Sequence, residues 1–161
     1  MTLPAVVAVC GASEPTPEQE RAAEEVGRLL AARRVAVVCG GLGGVMSAAA
    51  RGVREGGGIC VGLLPGDHPN VAAPELTVAL ATGIGEMRNA LLARVAAGMI
   101  AVGGGYGTLS EIALARRMGR PVALVQSWDL GEAVAADQLL HVAADAGGAV
   151  DWILDRLRPR K

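Results

Sequence analysis

Phenylalanine is missing from this chain of 161 residues, tyrosine occurs once, and aromatic residues make up 2% of it. With 52% of the residues hydrophobic, the core must be packed from small aliphatic side chains, which suits closely spaced parallel strands and helices. A net charge of −1 supplies no field for a polyanion, and no basic stretch alternates with aromatics, which excludes a DNA- or RNA-binding design. No uninterrupted apolar run reaches membrane-spanning length, and no basic segment leading into an apolar one opens the chain. The expectation is a soluble, cytoplasmic protein with neither a nucleic acid nor a membrane as partner. Cysteine is scarce as well. Cys10, Cys39 and Cys60 lie in or at the end of apolar runs without CxxC spacing, so they read as small buried thiols in a reducing compartment. No His, Cys, Asp and Glu cluster has ligand spacing, so neither a metal nor a cofactor is expected.

What the chain does hold is an alternation of strand-like and helix-like segments. Residues 6–10, 35–39, 59–64, 76–80, 99–102 and 122–125 are short apolar runs, with a shorter one near 139–142. Between them lie helical patterns. Thr16-Pro17-Glu18-Gln19 is a capping box with proline at the first helical position, opening a helix to about residue 32. Met46, Ala49, Ala50 and Val53 form one helical face, and Val150, Ile153, Leu154 and Leu157 form another near the end. Helices are also predicted over 86–97 and 109–118, while 126–144 is the least readable stretch. This order predicts a single α/β domain over residues 1–161: a doubly wound parallel sheet of six or seven strands with helices on both faces. Ligands are expected beyond the carboxyl ends of its strands.

Two glycine-rich turns leave apolar strands and run into helices: Gly40-Gly41-Leu42-Gly43-Gly44-Val45-Met46 and Gly103-Gly104-Gly105-Tyr106-Gly107-Thr108. Glycines let backbone approach a ligand closely, and the N–H groups at a helix start attract anions. Neither turn is a P-loop, because no Lys-Ser or Lys-Thr pair follows. Neither fits the dinucleotide fingerprint G-x-G-x-x-G, whose third glycine would fall on Met46 or Thr108. A phosphate-binding crevice of another kind is implied.

The pairing of Gly40-Gly41-x-x-Gly44-x-Met46 with Gly104-Gly105-x-Gly107-Thr108-x-x-Glu111 resembles the Lonely Guy (LOG) family of Rossmann-like proteins, over residues 5–125 or so. Many of its members are nucleoside 5′-monophosphate phosphoribohydrolases. Thr82-Gly83-x-Gly85-Glu86-x-Arg88-Asn89 is similar to the branch that includes molybdenum-cofactor carrier-like proteins. The resemblance implies Arg88 and Glu111 as the catalytic pair. It also implies a phosphate- and nucleotide-binding set of Ser13, Gly40, Gly41, Gly43, Gly44, Met46, Met87, Asn89, Gly103, Gly104, Gly105, Tyr106, Gly107 and Thr108. Two positions depart from the hydrolase pattern: Gly103 stands where proline usually begins the motif, and Asn89 where lysine usually follows the arginine. The label "lysine decarboxylase" attached to this family does not fit, since pyridoxal phosphate needs an internal lysine and the only lysine is Lys161.

The implied partner is a small phosphorylated ligand, a nucleoside monophosphate or a pterin-type phosphate, and the implied assembly a homo-oligomer. The leading activity is release of free base and ribose 5-phosphate; the alternative is a non-enzymatic carrier or sensor using the same anion site. Glu111 can stabilise charge at C1′ or activate water, while Thr108-x-x-Glu111 equally reads as a capping box. Arg88 can bind phosphate or orient Glu111 through a paired hydrogen bond. Ser13 can donate to a phosphate and Tyr106 can flank a base. Asp67 and His68 lie in a proline-rich connection, a surface loop or a lid, and His141 reads as structural. Leu91 and Leu92 suit an interface or the core equally.

Overall fold

The apolar runs form seven strands: β1 (Val6–Gly11), β2 (Ala36–Cys39), β3 (Cys60–Leu64), β4 (Val78–Ala81), β5 (Gly98–Val102), β6 (Val122–Val125) and β7 (Leu140–Val142). The computed structural model describes residues 5–158 and joins them in one parallel sheet of order β4-β3-β2-β1-β5-β6-β7. Central β1 sets the register, with Val7 opposite Val37 of β2 and Gly98 of β5. From β1 the chain winds outward to β4, then returns to lay β5, β6 and β7 on the other side. The loops after β1 and β5 therefore part company, which makes a crevice at the carboxyl ends of these two strands.

Strands buried on both faces explain the unbroken apolar runs. In β1, Val7 and Val9 face helices α1 (Pro17–Ala32), α2 (Val45–Glu55) and α6 (Ala146–Leu157), while Ala8 and Cys10 face α3 (Arg88–Val95) and α4 (Tyr106–Arg117). The α1 capping box forms as read. The Thr16 hydroxyl accepts the Gln19 N–H at 3.2 Å, and the Gln19 side-chain oxygen accepts the Thr16 N–H at 3.1 Å. Helix α6 begins on Asp145, whose carboxylate accepts the Gly148 N–H at 2.7 Å.

Several boundaries differ from the sequence expectation. Helix α4 starts at Tyr106 rather than 109, so Gly105 is its N-cap and Thr108 lies inside the first turn. The predicted 86–97 helix is a single 3-10 turn, Gly85–Met87, followed by the shorter α3. Within 126–144 a short helix α5 (Glu132–Ala136) precedes β7. Leu92 is buried in the chain's own core, and Leu91 packs against it. All three cysteines are buried and free, with the Cys39 and Cys60 sulfurs 3.9 Å apart. No helix among the described residues is long and apolar enough to cross a membrane.

With few large side chains available, helices approach one another through glycine. A Cβ on Gly27 of α1 would strike the Ala49 carbonyl of α2, and a Cβ on Gly52 of α2 would strike the Glu24 carbonyl of α1. Arg51 spans the same interface to Glu20 at 2.9 Å and Glu24 at 2.7 Å. Gly→Ala inside a helix ordinarily stabilises by roughly 0.5–1 kcal/mol. Here Gly27→Ala and Gly52→Ala should each destabilise by about 1–3 kcal/mol, because backbone must move apart. Urea unfolding of the two variants checks this; a midpoint equal to or above wild type would mean the helices can separate at no cost.

Candidate functional site

The crevice at the β1/β5 divergence has a volume of about 1060 Å³. Gly11 and Ser13 after β1, Met46 of α2, Met87, Arg88 and Asn89 at the start of α3, and Gly105, Tyr106, Gly107, Thr108 and Glu111 of the second glycine turn and α4 all line it. Starting α4 at Tyr106 has two consequences. No side chain among the described residues caps the helix, so its first N–H groups are left for solvent or an anion, and residues 105–108 line the crevice. Glu111 falls in the second turn and points inward. The capping-box reading of Thr108 and Glu111 is thereby overturned: both side chains are buried, and Gly105 occupies the cap position.

Glu111 is only 7% exposed. Burial pushes its carboxyl up to about 7, against the lowering influence of the Arg88 guanidinium and of a hydrogen bond with the Cys10 thiol at the end of β1. The Cys10 thiol is itself held well above its ordinary value by burial and then by Glu111. The floor of the crevice thus carries a carboxyl poised to exchange a proton near neutrality.

Arg88 does not make the expected paired hydrogen bond with Glu111. Its Nη1 donates instead to the carbonyls of Gly40 at 2.5 Å and Leu63 at 2.7 Å, at the ends of β2 and β3. Its Nε is buried and lacks a partner among the described residues. Gly40 explains why this geometry is possible, since a Cβ there would lie 2.5 Å from Arg88 Nη1 and 2.6 Å from Met46 Sδ. The guanidinium is therefore fixed by backbone, and it acts on Glu111 through its charge.

The first glycine turn serves packing more than the crevice. Gly41, at φ +77°, lies against Gly62 and Leu64, and Gly44, at φ +67°, lies against the Ala12 and Ser13 carbonyls as N-cap of α2. Gly43 is exposed with open space around it, and of the residues predicted from that turn Met46 reaches the crevice. In the second turn, Gly103 has φ +57°, where proline cannot sit, and its Cα faces the Gln19 side chain. Gly104, at φ +129°, lies against Thr108. The Asn89 amide donates to the Ser110 hydroxyl at 3.5 Å, linking α3 to α4. Asp67 and His68 are exposed, and His141 stacks on Trp152 at 4.9 Å, away from the crevice.

Residues 4–148 match the model of the SLOG cluster4 family. The chain belongs to this family. It is 38% identical over 111 residues, 66% of the chain, to a probable cytokinin riboside 5′-monophosphate phosphoribohydrolase of Oryza sativa subsp. japonica. That match spans about half of the rice protein, 49%. The molybdenum cofactor binding protein of the phototrophic bacterium Rippkaea orientalis superposes with a TM-score of 0.90 at 28% identity, covering 98% of this chain and 100% of that one. The molybdenum cofactor carrier protein of Chlamydomonas reinhardtii does so with a TM-score of 0.85 at 30% identity, covering 96% and 99%. The resemblance to LOG and carrier-like proteins read from the motifs is borne out by these likenesses.

In this SLOG domain the motif reading missed Gly11, Glu86, Ala90, Ser110 and Leu114, which also line the crevice, and two residues outside it that brace the second turn or the loop beside it. Gln19, legible only as a capping residue, also donates from its side-chain amide to the Gln126 carbonyl at 3.2 Å, bracing the loop beside the second glycine turn. Trp128 lies in the segment that carried no periodicity, and its indole N–H donates to the Gly105 carbonyl at 3.2 Å. The scarcity of aromatics was the signal that could have drawn attention to it.

Gly107 gives a separable test. A Cβ there meets nothing within 4 Å, yet the residue lines the crevice from inside α4. Gly107→Ala should raise thermal stability, by roughly 0.5–1 kcal/mol, while weakening binding of a phosphorylated ligand. Gly103→Ala should do the opposite to stability, costing about 1–3 kcal/mol for the left-handed backbone and the Gln19 contact. Calorimetric melting with and without ligand decides both.

Glu111 also sets a pH dependence. Below about 4.5 the carboxyl is protonated folded and unfolded alike; as pH rises to about 7 the unfolded chain ionises first, so this contribution to stability is lost across that window. Glu111→Gln should lack the loss, and above pH 8 should exceed wild type by on the order of 3 kcal/mol. Denaturation midpoints measured from pH 4 to 8.5 on both proteins check the sign.

Proposed function

We propose that this protein binds a phosphorylated, nucleotide-type ligand in the crevice and hydrolyses nucleoside 5′-monophosphates to free base and ribose 5-phosphate. The observation that carries the reading is the Glu111 carboxyl, buried at the crevice floor with a proton affinity near neutrality and lying one turn below the uncapped start of α4. The 5′-phosphate is held by the N–H groups of residues 105–108 and favoured by the helix dipole. Holding the phosphate there positions the ribose against Glu111. As the C1′–N bond lengthens, its electron pair leaves with the base and positive charge grows at C1′. The ionised Glu111 stabilises that charge and takes a proton from the water that attacks C1′; the departing base is protonated from solvent. Arg88, anchored on the Gly40 and Leu63 carbonyls, keeps a positive charge close enough to favour the ionised carboxylate.

A second reading, a carrier of a pterin-type phosphate, is supported by the near-complete overlap with the Rippkaea and Chlamydomonas proteins, set against the half-length match to the rice protein. The same anion site would serve it, with Glu111 as a neutral hydrogen-bond donor. Incubation with a panel of nucleoside monophosphates, with chromatographic assay of free base, separates the two. Base release is expected, with kcat/KM rising with pH through an inflection near 7 as Glu111 ionises. Glu111→Gln should lower kcat by about 100-fold or more while changing ligand affinity little. Equal turnover in the variant removes Glu111 from the chemistry. Tight ligand binding without base release from any member of the panel establishes the carrier.

A further inference from the structure

The chain has one tyrosine and two tryptophans, and the tyrosine meets one of the tryptophans at the mouth of the crevice. The Tyr106 and Trp128 rings lie 5.8 Å apart at a 39° tilt. Trp128 is half-buried, packs on the α3/α4 side of the core, and is pinned to the glycine turn by its hydrogen bond to Gly105. Tyr106 is 83% exposed, although it begins α4 and lines the crevice. A large ring left in water in a protein so poor in aromatics calls for an occupant.

The loop carrying Trp128 is held at a conformational cost. Gln126 has φ +48°, a left-handed backbone rare for a residue with a side chain. It is kept there by the Gln19 amide donating to its carbonyl at 3.2 Å, and by Ser127 Oγ donating to the Gly103 carbonyl at 2.6 Å. This loop holds the indole against the turn beside a depression of about 330 Å³ lined by Gln19, Gly103, Gly104, Gln126, Ser127, Trp128 and Asp129.

We propose that Tyr106 stacks on the planar heterocycle of the bound ligand and that Trp128 is a positioning residue that backs the tyrosine ring, so the site selects phosphates bearing an aromatic base over base-free sugar phosphates. The inference rests on the phosphorylated-ligand reading above and holds for hydrolase and carrier alike. Stacking needs a ring face and no particular base, so Tyr106→Phe retains the function and Tyr106→Ala loses it.

Calorimetric titration of the whole protein with AMP and, as the base-free probe, ribose 5-phosphate tests the assignment. Tyr106→Ala should weaken AMP binding about tenfold and leave ribose 5-phosphate binding unchanged, while Tyr106→Phe behaves as wild type. Trp128→Phe should reduce the preference for AMP by a smaller factor without affecting ribose 5-phosphate. The proposal falls if Tyr106→Ala binds AMP as wild type does, if it loses both probes equally, or if wild type does not prefer AMP over ribose 5-phosphate. Binding of neither probe by wild type overturns the phosphorylated-ligand reading, and this inference with it.

Discussion

Close approach of backbone to backbone, at positions where a Cβ would collide, is the constraint on which the remaining structure rests. Gly27 and Gly52 let α1 and α2 lie against each other's carbonyls, and Gly44 brings the start of α2 onto the loop after β1. Gly40 leaves room for the Arg88 guanidinium over the ends of β2 and β3. A chain without phenylalanine cannot fill wide gaps between layers, so it narrows them. That packing fixes the charge of the crevice as well: the Arg88 guanidinium is held by two backbone carbonyls, while Glu111 is held by burial and the Cys10 thiol.

Three charged residues line the crevice, and two of them, Arg88 and Glu111, are at least partly buried while Glu86 is exposed. Arg88 is fastened to carbonyl oxygens, and Glu111 is buried beneath the start of α4, where desolvation outweighs the pull of the arginine and keeps the carboxyl near neutrality in its proton affinity. An ordinary surface carboxylate would be fully ionised at pH 7 and a poor proton acceptor. The start of α4 above it has Gly105 as its cap and no side-chain cap hydrogen bond, which under the proposed function is where the phosphate would lie. A hydrolase and a carrier, the two readings proposed for this chain, would both draw on this one crevice.

The elements that depend on local patterning were legible from the residues. The α1 capping box, the apolar strand runs, and the α/β alternation that becomes a seven-stranded parallel sheet all follow from neighbours close in sequence. The motif resemblance, rather than local patterning, is what grouped Ser13, Met46, Met87, Arg88, Asn89, Tyr106, Gly107, Thr108 and Glu111, and these residues do line one crevice. The start of α4 was misplaced by three residues because glycine and tyrosine are weak helix formers and give residues 106–108 little local helix signal. The short α5 lacks a caps-and-period signature as well.

Residue order alone thus settled the strand–helix succession, the aliphatic character of the core and the two glycine-rich turns after β2 and β5, since each depends on chemistry within a few residues. It could not say that Arg88 bonds to the Gly40 and Leu63 carbonyls, that Glu111 is buried beside Cys10, that Gln19 braces the Gln126 loop from 107 residues away, or that Trp128 bonds to the second turn from 23 residues away. Those relations join segments distant in the chain, and desolvation and backbone proximity come into being only when the sheet brings them together.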